Sequence, residues 1–342
     1  MQLPGPPPTL EDVAVRAGVS RATVSRVINN QPRVSPETTA AVLAAAAELG
    51  YTPNAAARSL VTRRTGAVAV VLSEPENMIF DDPFFAAVVR TSFRELARHN
   101  QQMLLLLAHR AEQAERVGHF LRTGHVDGVL MFSPHRGDPL PELARELPLP
   151  VVFGGRPWLA EDGDSLHIVD ADNHGGAELA TRHLLARGRG NTVTITGPMD
   201  HRAAVDRLEG WRSATDSDRT ATELRSAAGD FTRAGGERAM TELLARVPDL
   251  DGVFAASDHM AVGALAALRK AGREVPRDVS VVSFDDHPAI AASALPALTA
   301  VRQDPVGMVA EMVTNLHALL DGEDLAPSCR ILPSTLTERA SA

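Results

Sequence analysis

The spacing of apolar residues changes once along this chain, near Gly66. Before that point, apolar positions repeat at three- and four-residue intervals in short stretches closed by glycine, as small helices require. Leu10, Val13, Ala14 and Ala17 form one such face, and Gly18 follows it. Thr9 is placed to cap this helix, with Asp12 in the capping-box position. Ser20 opens a second helix whose inward side is Val24, Val27 and Ile28. Two short helices across a glycine turn make a helix-turn-helix, and the second of them enters the major groove of DNA. Ser35 and Pro36 then start a third helix, with Val42, Leu43, Ala46 and Leu49 expected on its buried face and Gly50 at its end. Asn54 is placed to cap a fourth, short helix that ends near Val61.

The outward positions of the second helix carry groups that read bases. Arg21 and Arg26 offer bidentate donors for guanine, Ala22 fits against a thymine methyl, and Ser25 adds a hydroxyl nearby. Ser20 and Thr23, at the helix start, suit phosphate oxygens. A solvated helix face with two arginines is the plain alternative; the capped helices on either side favour DNA.

From Gly66 onward, continuous apolar runs such as Ala67 to Leu72 alternate with amphipathic stretches such as Phe84 to His99. Runs of that kind are strands buried on both faces of a parallel sheet. The alternation proceeds through strands at Met103, Val126, Val151, His167, Thr192, Gly252 and Val279, with helices from Arg110, Asn173, Ala203, Gly236 and Met260. It predicts an α/β core of two doubly wound parallel-sheet subdomains behind an all-α reader, with ligands in the cleft at strand C-termini. Ile331 onward is expected to cross between the subdomains.

Charge follows the same division. Residues 1–65 hold seven arginines against four carboxylates, a net of +3, while the chain carries −9, so the remainder carries −12. A basic reader on an acidic body fits specific rather than general nucleic-acid binding. Cys329 is the only cysteine, which leaves no disulfide framework and no cysteine-rich metal site. Met1 to Pro8 has no signal-peptide character, and no apolar run is long enough to span a membrane, so a cytoplasmic protein is expected. The twelve histidines are scattered singly, without a metal-ligand spacing. Serine-elbow and glycine-rich phosphate motifs are absent as well. No catalytic residue, metal or cofactor is expected, and the chain is not read as an enzyme.

Three segments of the reader carry a resemblance to a known family: Thr9 to Asn29, Val34 to Glu37, and Gly50-Tyr51-Thr52-Pro53-Asn54 with Ala57, Arg58 and Leu60. In the core, Asp82-Pro83-Phe84-Phe85, Val126-Asp127-Gly128-Val129, Asp172-Asn173, Arg207-Leu208-Glu209-Gly210-Trp211, Ala256-Ser257-Asp258, Ser283-Phe284-Asp285-Asp286 and Val301-Arg302-Gln303-Asp304 continue it in order. By these residues the chain resembles the LacI/GalR family of bacterial transcription regulators, whose core is similar to periplasmic sugar-binding proteins. The resemblance implies a tail over 1–8, a helix-turn-helix domain over 9–53, a hinge helix and linker over 54–65, and an effector-binding, dimerising core over 66–342. The N-subdomain is expected over about 66–165 plus 297–328, and the C-subdomain over about 166–296 plus 329–342. It also implies that Asn29, Tyr51, Asn54, Ala57, Arg58 and Leu60 join Thr9, Ser20, Arg21, Ala22, Thr23, Ser25 and Arg26 on DNA. Leu60 would wedge a base step in the minor groove.

Sugar binding calls for fixed carboxylates, an arginine fork, amides and aromatic faces. Asp285 at a strand end, Arg207, Asn173 and Ser257 supply the polar groups, and Phe84, Phe85, Trp158 and Phe231 the walls. Asp285 could instead cap the following helix, and Arg207 could serve a surface ion pair. The stretch Ser73 to Asp82 reads as a loop longer than the family's usual link, and the segment after Trp211 as a short one. Both bear on which ligand fits. The expected protein is a homodimeric regulator on a palindromic operator, most simply a repressor of carbohydrate-utilisation genes released by a sugar. A corepressor-dependent regulator answering a nucleobase or a phosphorylated partner is the nearest alternative. A free sugar-binding protein or an enzyme is the more distant one.

Overall fold

The structure, a computed structural model, describes residues 8–28, 32, 34–51, 64–159 and 166–342. The chain forms two compact units, Met1–Thr65 and Gly66–Ala342. Asn29 and the expected hinge residues Asn54, Ala57, Arg58 and Leu60 lie outside the described residues.

In the first unit, α1 (Leu10–Ala17), α2 (Arg21–Ile28) and α3 (Pro36–Leu49) pack on one another. Thr9 closes its capping box with Asp12, and Ser35 accepts from the Thr38 amide behind Pro36. Gly18 and Gly50 stand at φ 64 in the left-handed region, where a side chain would be strained, and their amides return to the ends of α1 and α3. Val13, Ala14, Val24, Val27, Val42, Ala45 and Ala46 make the core. Leu43, expected inside, is 52% exposed, and Ala45 takes its place. In this alanine-rich helix almost any face is apolar, so the pattern alone did not orient it.

The second unit contains two sheets. The first joins β1 (Ala67–Leu72), β2 (Gln102–Leu107), β3 (Gly128–Phe132), β4 (Val151–Gly154), β5 (His167–Ala171) and β11 (Ser328–Leu332) in the spatial order β11-β5-β4-β3-β1-β2, all parallel. The second joins β6 (Thr192–Thr196), β7 (Ser226–Ala228), β8 (Gly252–Ala255), β9 (Ser280–Asp285), β10 (Thr299–Arg302) and β12 (Thr335–Thr337) in the order β12-β10-β9-β8-β6-β7. Only the β10–β12 pair in it is antiparallel. Burial is continuous along the inner strands β1, β3, β6 and β8, as helices on both faces demand, while the edge strands β11 and β12 are largely exposed or partly buried.

The helices that cover these sheets follow in chain order. On the first sheet, Val88 and Leu96 of α5 (Pro83–Arg98) meet Met312 and Leu316 of α13 (Pro305–Leu320) on one face. Leu121 of α6 (Ala111–Arg122) and Leu140 of α7 (Leu140–Glu146) fill the other. On the second sheet, α8 (Asn173–Ala186) and α9 (Arg202–Thr215) cover one face, and α11 (Arg233–Arg246) and α12 (Asp258–Lys270) the other. Two further short helices are α4 (Glu76–Asp81) and α10 (Arg219–Arg225).

Two expectations are corrected here. The segment Ser73 to Asp82 is not a plain loop: α4 occupies it and buries Ile79 in the core of the first lobe. The subdomain boundaries also shift. β5 pairs in the first sheet and β10 in the second, so the chain crosses between lobes after Ala171, after Arg302 and after Leu332. A strand's sheet is decided by its pairing partner, which the local apolar pattern does not contain.

Candidate functional site

Two sites emerge, one in each unit. In the first unit, Arg21, Ala22 and Arg26 lie exposed on α2, and Ser25 and Thr23 are partly covered. Ser20 and Thr23 share a hydroxyl contact of 2.9 Å, and the Ser20 hydroxyl accepts from the Thr23 amide, which fixes the start of the helix. Arg21 reaches Glu11 at 3.0 Å, with both side chains largely in solvent. Such a pair is weak and can be surrendered to a better partner. Thr9 is exposed but committed to its cap, and Tyr51 packs on the edge of the three-helix core.

In the second unit, a cleft with a cavity volume of about 120 Å³ opens between the lobes at the C-terminal ends of their strands. Of the residues expected there, Phe84, Phe85, Asn173, Arg207, Phe231, Ser257 and Asp285 line it. Trp158 does not. Its indole donates to the Asp200 carbonyl at 2.6 Å and lies under the Arg136 guanidinium, 3.8 Å from the ring centre, so it ties the two lobes beside the cleft. No motif marked its loop, and its aromatic character alone did not place it. Phe85 is buried in the first lobe, while Phe84 is partly buried and meets it edge-on at 5.2 Å.

A continuous polar wall runs across the cleft. Arg156, after β4, pairs with Asp170 of β5 at 3.0 Å and with Asp206 of α9. Asp170 accepts from the Asn173 amide at 3.2 Å, and Asn173 in turn accepts from Arg207 Nε at 2.9 Å. Arg207 also donates to the Ala256 carbonyl at 2.6 Å and lies over the Phe284 ring at 3.7 Å. It is a buried cleft residue, not a surface ion-pair partner. Asp285 accepts from Gln303 at 2.6 Å, while Arg207 Nη1 stands 3.7 Å away. The Asp258 amide at the start of α12 approaches Asp285 Oδ2 at 3.5 Å, so that helix is served only in passing. Ser257 caps α12, accepting from the Met260 amide. Asp285 holds φ 107, a conformation uncommon outside glycine and concentrated at functional sites.

Burial dominates the electrostatics. It raises Asp285 well above the ordinary carboxylate range, against the attraction of Arg207, and it lowers Arg207 against Asp285 and its other acidic neighbours. Burial likewise raises Asp82, which caps α5 through the Phe84 amide, and Asp206. Desolvated donors and acceptors of this kind reward a ligand that replaces their lost water.

Sequence reasoning missed several residues here. Glu74, Arg156, Asp170, His201 and Gln303 also line the cleft. They come from separate strand ends with no shared spacing, and only Gln303 fell within a quoted motif. At one end, His135 of the first lobe meets His201 of the second through a backbone bridge, with ring centres 4.0 Å apart. Burial opposes the charge on His135. Its contacts with Glu74 and Asp200 overcome that penalty and raise it to about 9.

Family comparisons bear on both sites. Residues 9–54 match the bacterial regulatory proteins of the lacI family, and residues 181–342 match a periplasmic binding protein-like domain. HTH-type transcriptional regulator CelR of Thermobifida fusca is 45% identical over 339 residues, covering 98% of each chain. The chain belongs to the LacI family. The ribose operon repressor of Escherichia coli K12 is 36% identical over 309 residues, covering 88% of this chain and 90% of that protein. Among solved structures, a CelR–cellobiose complex matches at TM-score 0.77 and 43% identity over 98% of this chain and all of its own. A lac repressor dimer bound to operator and the anti-inducer ONPF matches at TM-score 0.86 and 26% identity, over 98% of this chain and 99% of its own. This LacI-family chain is therefore a DNA-binding transcription regulator and not an enzyme. Among the described residues, no helix is long and apolar enough to cross a membrane.

Proposed function

We propose that this regulator is a cytoplasmic, homodimeric repressor whose cleft takes a short glucose-type saccharide that releases it from a palindromic operator. The observation that carries the reading is the polar wall from Arg156 through Asn173 and Arg207 to Asp285 and Gln303, which spans both lobes. Vicinal hydroxyls match it: each can donate to a carboxylate while accepting from an arginine or amide. Phe84 and Phe231 offer apolar faces to the ring carbons. Similarity to CelR, solved with cellobiose, supports a disaccharide within the sugar class. The operator-bound dimer of the lac repressor supports a dimeric reading of two half-sites.

The site assignments follow from that reading. Arg21, Ala22, Ser25 and Arg26 contact base edges, with Ser20, Thr23 and Thr9 near phosphate and Tyr51 bracing the unit. Asn29, Asn54, Ala57, Arg58 and Leu60 keep their roles on DNA as part of the same proposal. Phe84, Phe85, Asn173, Arg207, Phe231, Ser257 and Asp285 make up the effector site. A saccharide that prefers the lobe arrangement incompetent for DNA lowers operator affinity by its differential affinity for the two states, and by no more.

Fluorescence anisotropy on a palindromic sequence upstream of the gene, titrated with cellobiose and related saccharides, tests this. At least a tenfold loss of operator affinity is expected. A gain in affinity with a nucleobase or phosphoprotein, and no response to sugars in calorimetry, would establish the corepressor alternative.

A further inference from the structure

Glu74 follows β1, His135 follows β3, and His201 precedes α9, so two strand ends of one lobe and one loop of the other converge. Glu74 and His201 are buried, and all three donor groups lie within 4.8 Å of one another. Glu74 Oε2 stands 3.5 Å from His135 Nε2, and Glu74 Oε1 stands 3.3 Å from His201 Nε2. Donors bonded to zinc at about 2.0–2.2 Å in a tetrahedron are roughly 3.3–3.6 Å apart. The two carboxylate–imidazole distances fall in that range, each through its own Glu74 oxygen, and the three donors together lie within 4.8 Å of one another.

The surroundings match as well. His135 Nδ1 contacts Asp200 Oδ2 at 2.8 Å, while His135 Nε2 is buried and faces Glu74 Oε2 in an ion-pair contact at 3.5 Å. A carboxylate on the far ring nitrogen is the arrangement that orients histidines on metals and raises their basicity. Ser133 donates to Glu74 Oε1 at 2.6 Å, and the Arg136 amide donates to the Asp200 carbonyl at 2.9 Å, which holds the two loops in register. We propose that Glu74, His135 and His201 form a site for one divalent transition ion of the zinc class, bridging the two lobes. Its fourth position opens into the cleft, which Glu74 and His201 line. Two imidazoles and one carboxylate suit zinc or cobalt, whereas magnesium and calcium require shells of oxygen. An ion held by both lobes favours their closed arrangement, because opening would strip it of His201. The site stands on its own donors and does not depend on which effector fills the cleft.

Calorimetric titration of the chelator-treated full chain with Zn²⁺ alone tests the site. One ion per chain is expected. Asp200→Asn leaves all three donors in place at a half-exposed position and is expected to weaken binding about 10- to 100-fold. His135→Asn, His201→Asn and Glu74→Gln should each lose at least as much while unfolding cooperatively. Cobalt in place of zinc should show the visible absorption of a four-coordinate ion, and that signal should vanish in His201→Asn. No zinc uptake by the wild type, uptake unchanged in all four variants, or displacement by equimolar magnesium would overturn the site.

Discussion

Arg207 Nη1 stops 3.7 Å from Asp285 Oδ1, although Gln303 holds that same oxygen at 2.6 Å. The guanidinium is instead committed to Asn173 and the Ala256 carbonyl. Asp285 is thus left with acceptor capacity toward the cleft, held in place by a strained backbone at φ 107. Asp285→Asn should keep the fold and operator binding yet lose at least tenfold in saccharide affinity, about 1.4 kcal/mol. Calorimetry on wild type and variant decides it, and equal affinities would remove Asp285 from the site. Arg207→Ala should behave differently. Its loss leaves buried acceptors unpaired, so a drop of about 1–3 kcal/mol in stability is expected alongside the lost effector response. Urea denaturation separates the two effects.

The reader makes a sharper prediction. Arg21 gives up only an exposed pair with Glu11 when it turns to a base, so its cost of engagement is small. Arg21→Ala should relax preference at one symmetric base pair by about 1–3 kcal/mol per contact. Competition binding across operators altered one pair at a time would show this. Uniform weakening on every sequence would make Arg21 a phosphate contact.

How much was legible in the sequence differs between the two units. Thr9, Asp12, Gly18, Ser35 and Gly50 act within a few residues of themselves, so the reader's caps and turns could be placed from local pattern. Strands such as Ala67–Leu72 were equally plain, because a strand buried on both faces is apolar throughout. Pairing was not. β5 and β10 carry no mark of the sheet they join, and the lobe boundaries moved accordingly. Arg207 and Asp285 stood in recognisable motifs. Glu74, His135 and His201 meet only through tertiary contact, and Trp158 proved to be a lobe tie because of its neighbours Arg136 and Arg202.

That tie is itself testable. Trp158 belongs to the first lobe and binds the Asp200 carbonyl of the second, with the Arg136 and Arg202 guanidinium groups 3.8 and 5.1 Å from its ring centre. Trp158→Phe keeps the ring and loses the donor, whereas Trp158→Ala loses both. Effector affinity should fall in the order wild type, Phe, Ala, because each step releases lobe closure, while the lining residues stay intact. An unchanged affinity in Trp158→Ala would show that closure does not pass through this contact. The cation–π part, worth about 0.5–2 kcal/mol, sets the scale of the Ala effect.

The last prediction concerns pH. Asp258, at the start of α12, is buried and accepts from Ser283 at 2.5 Å and from the His287 amide at 2.7 Å. Burial outweighs those hydrogen bonds and pushes its carboxyl up to about 7. In the unfolded chain the same group titrates near 3.8. Between these values the folded state keeps a proton that the unfolded state has lost, so stability falls as pH rises from about 4 to 7. Above 7 the cost is complete and the dependence on this group ends. Asparagine cannot ionise, and its amide can still bond Ser283. Asp258→Asn should therefore match the wild type near pH 4. It should gain on the wild type toward neutrality, by at most about 1.4 kcal/mol per pH unit. Denaturant melts of both proteins at intervals from pH 4 to 8 give the difference directly. If that difference is flat across the range, Asp258 is ionised in the folded core throughout, and its hydrogen bonds, not its burial, govern its charge.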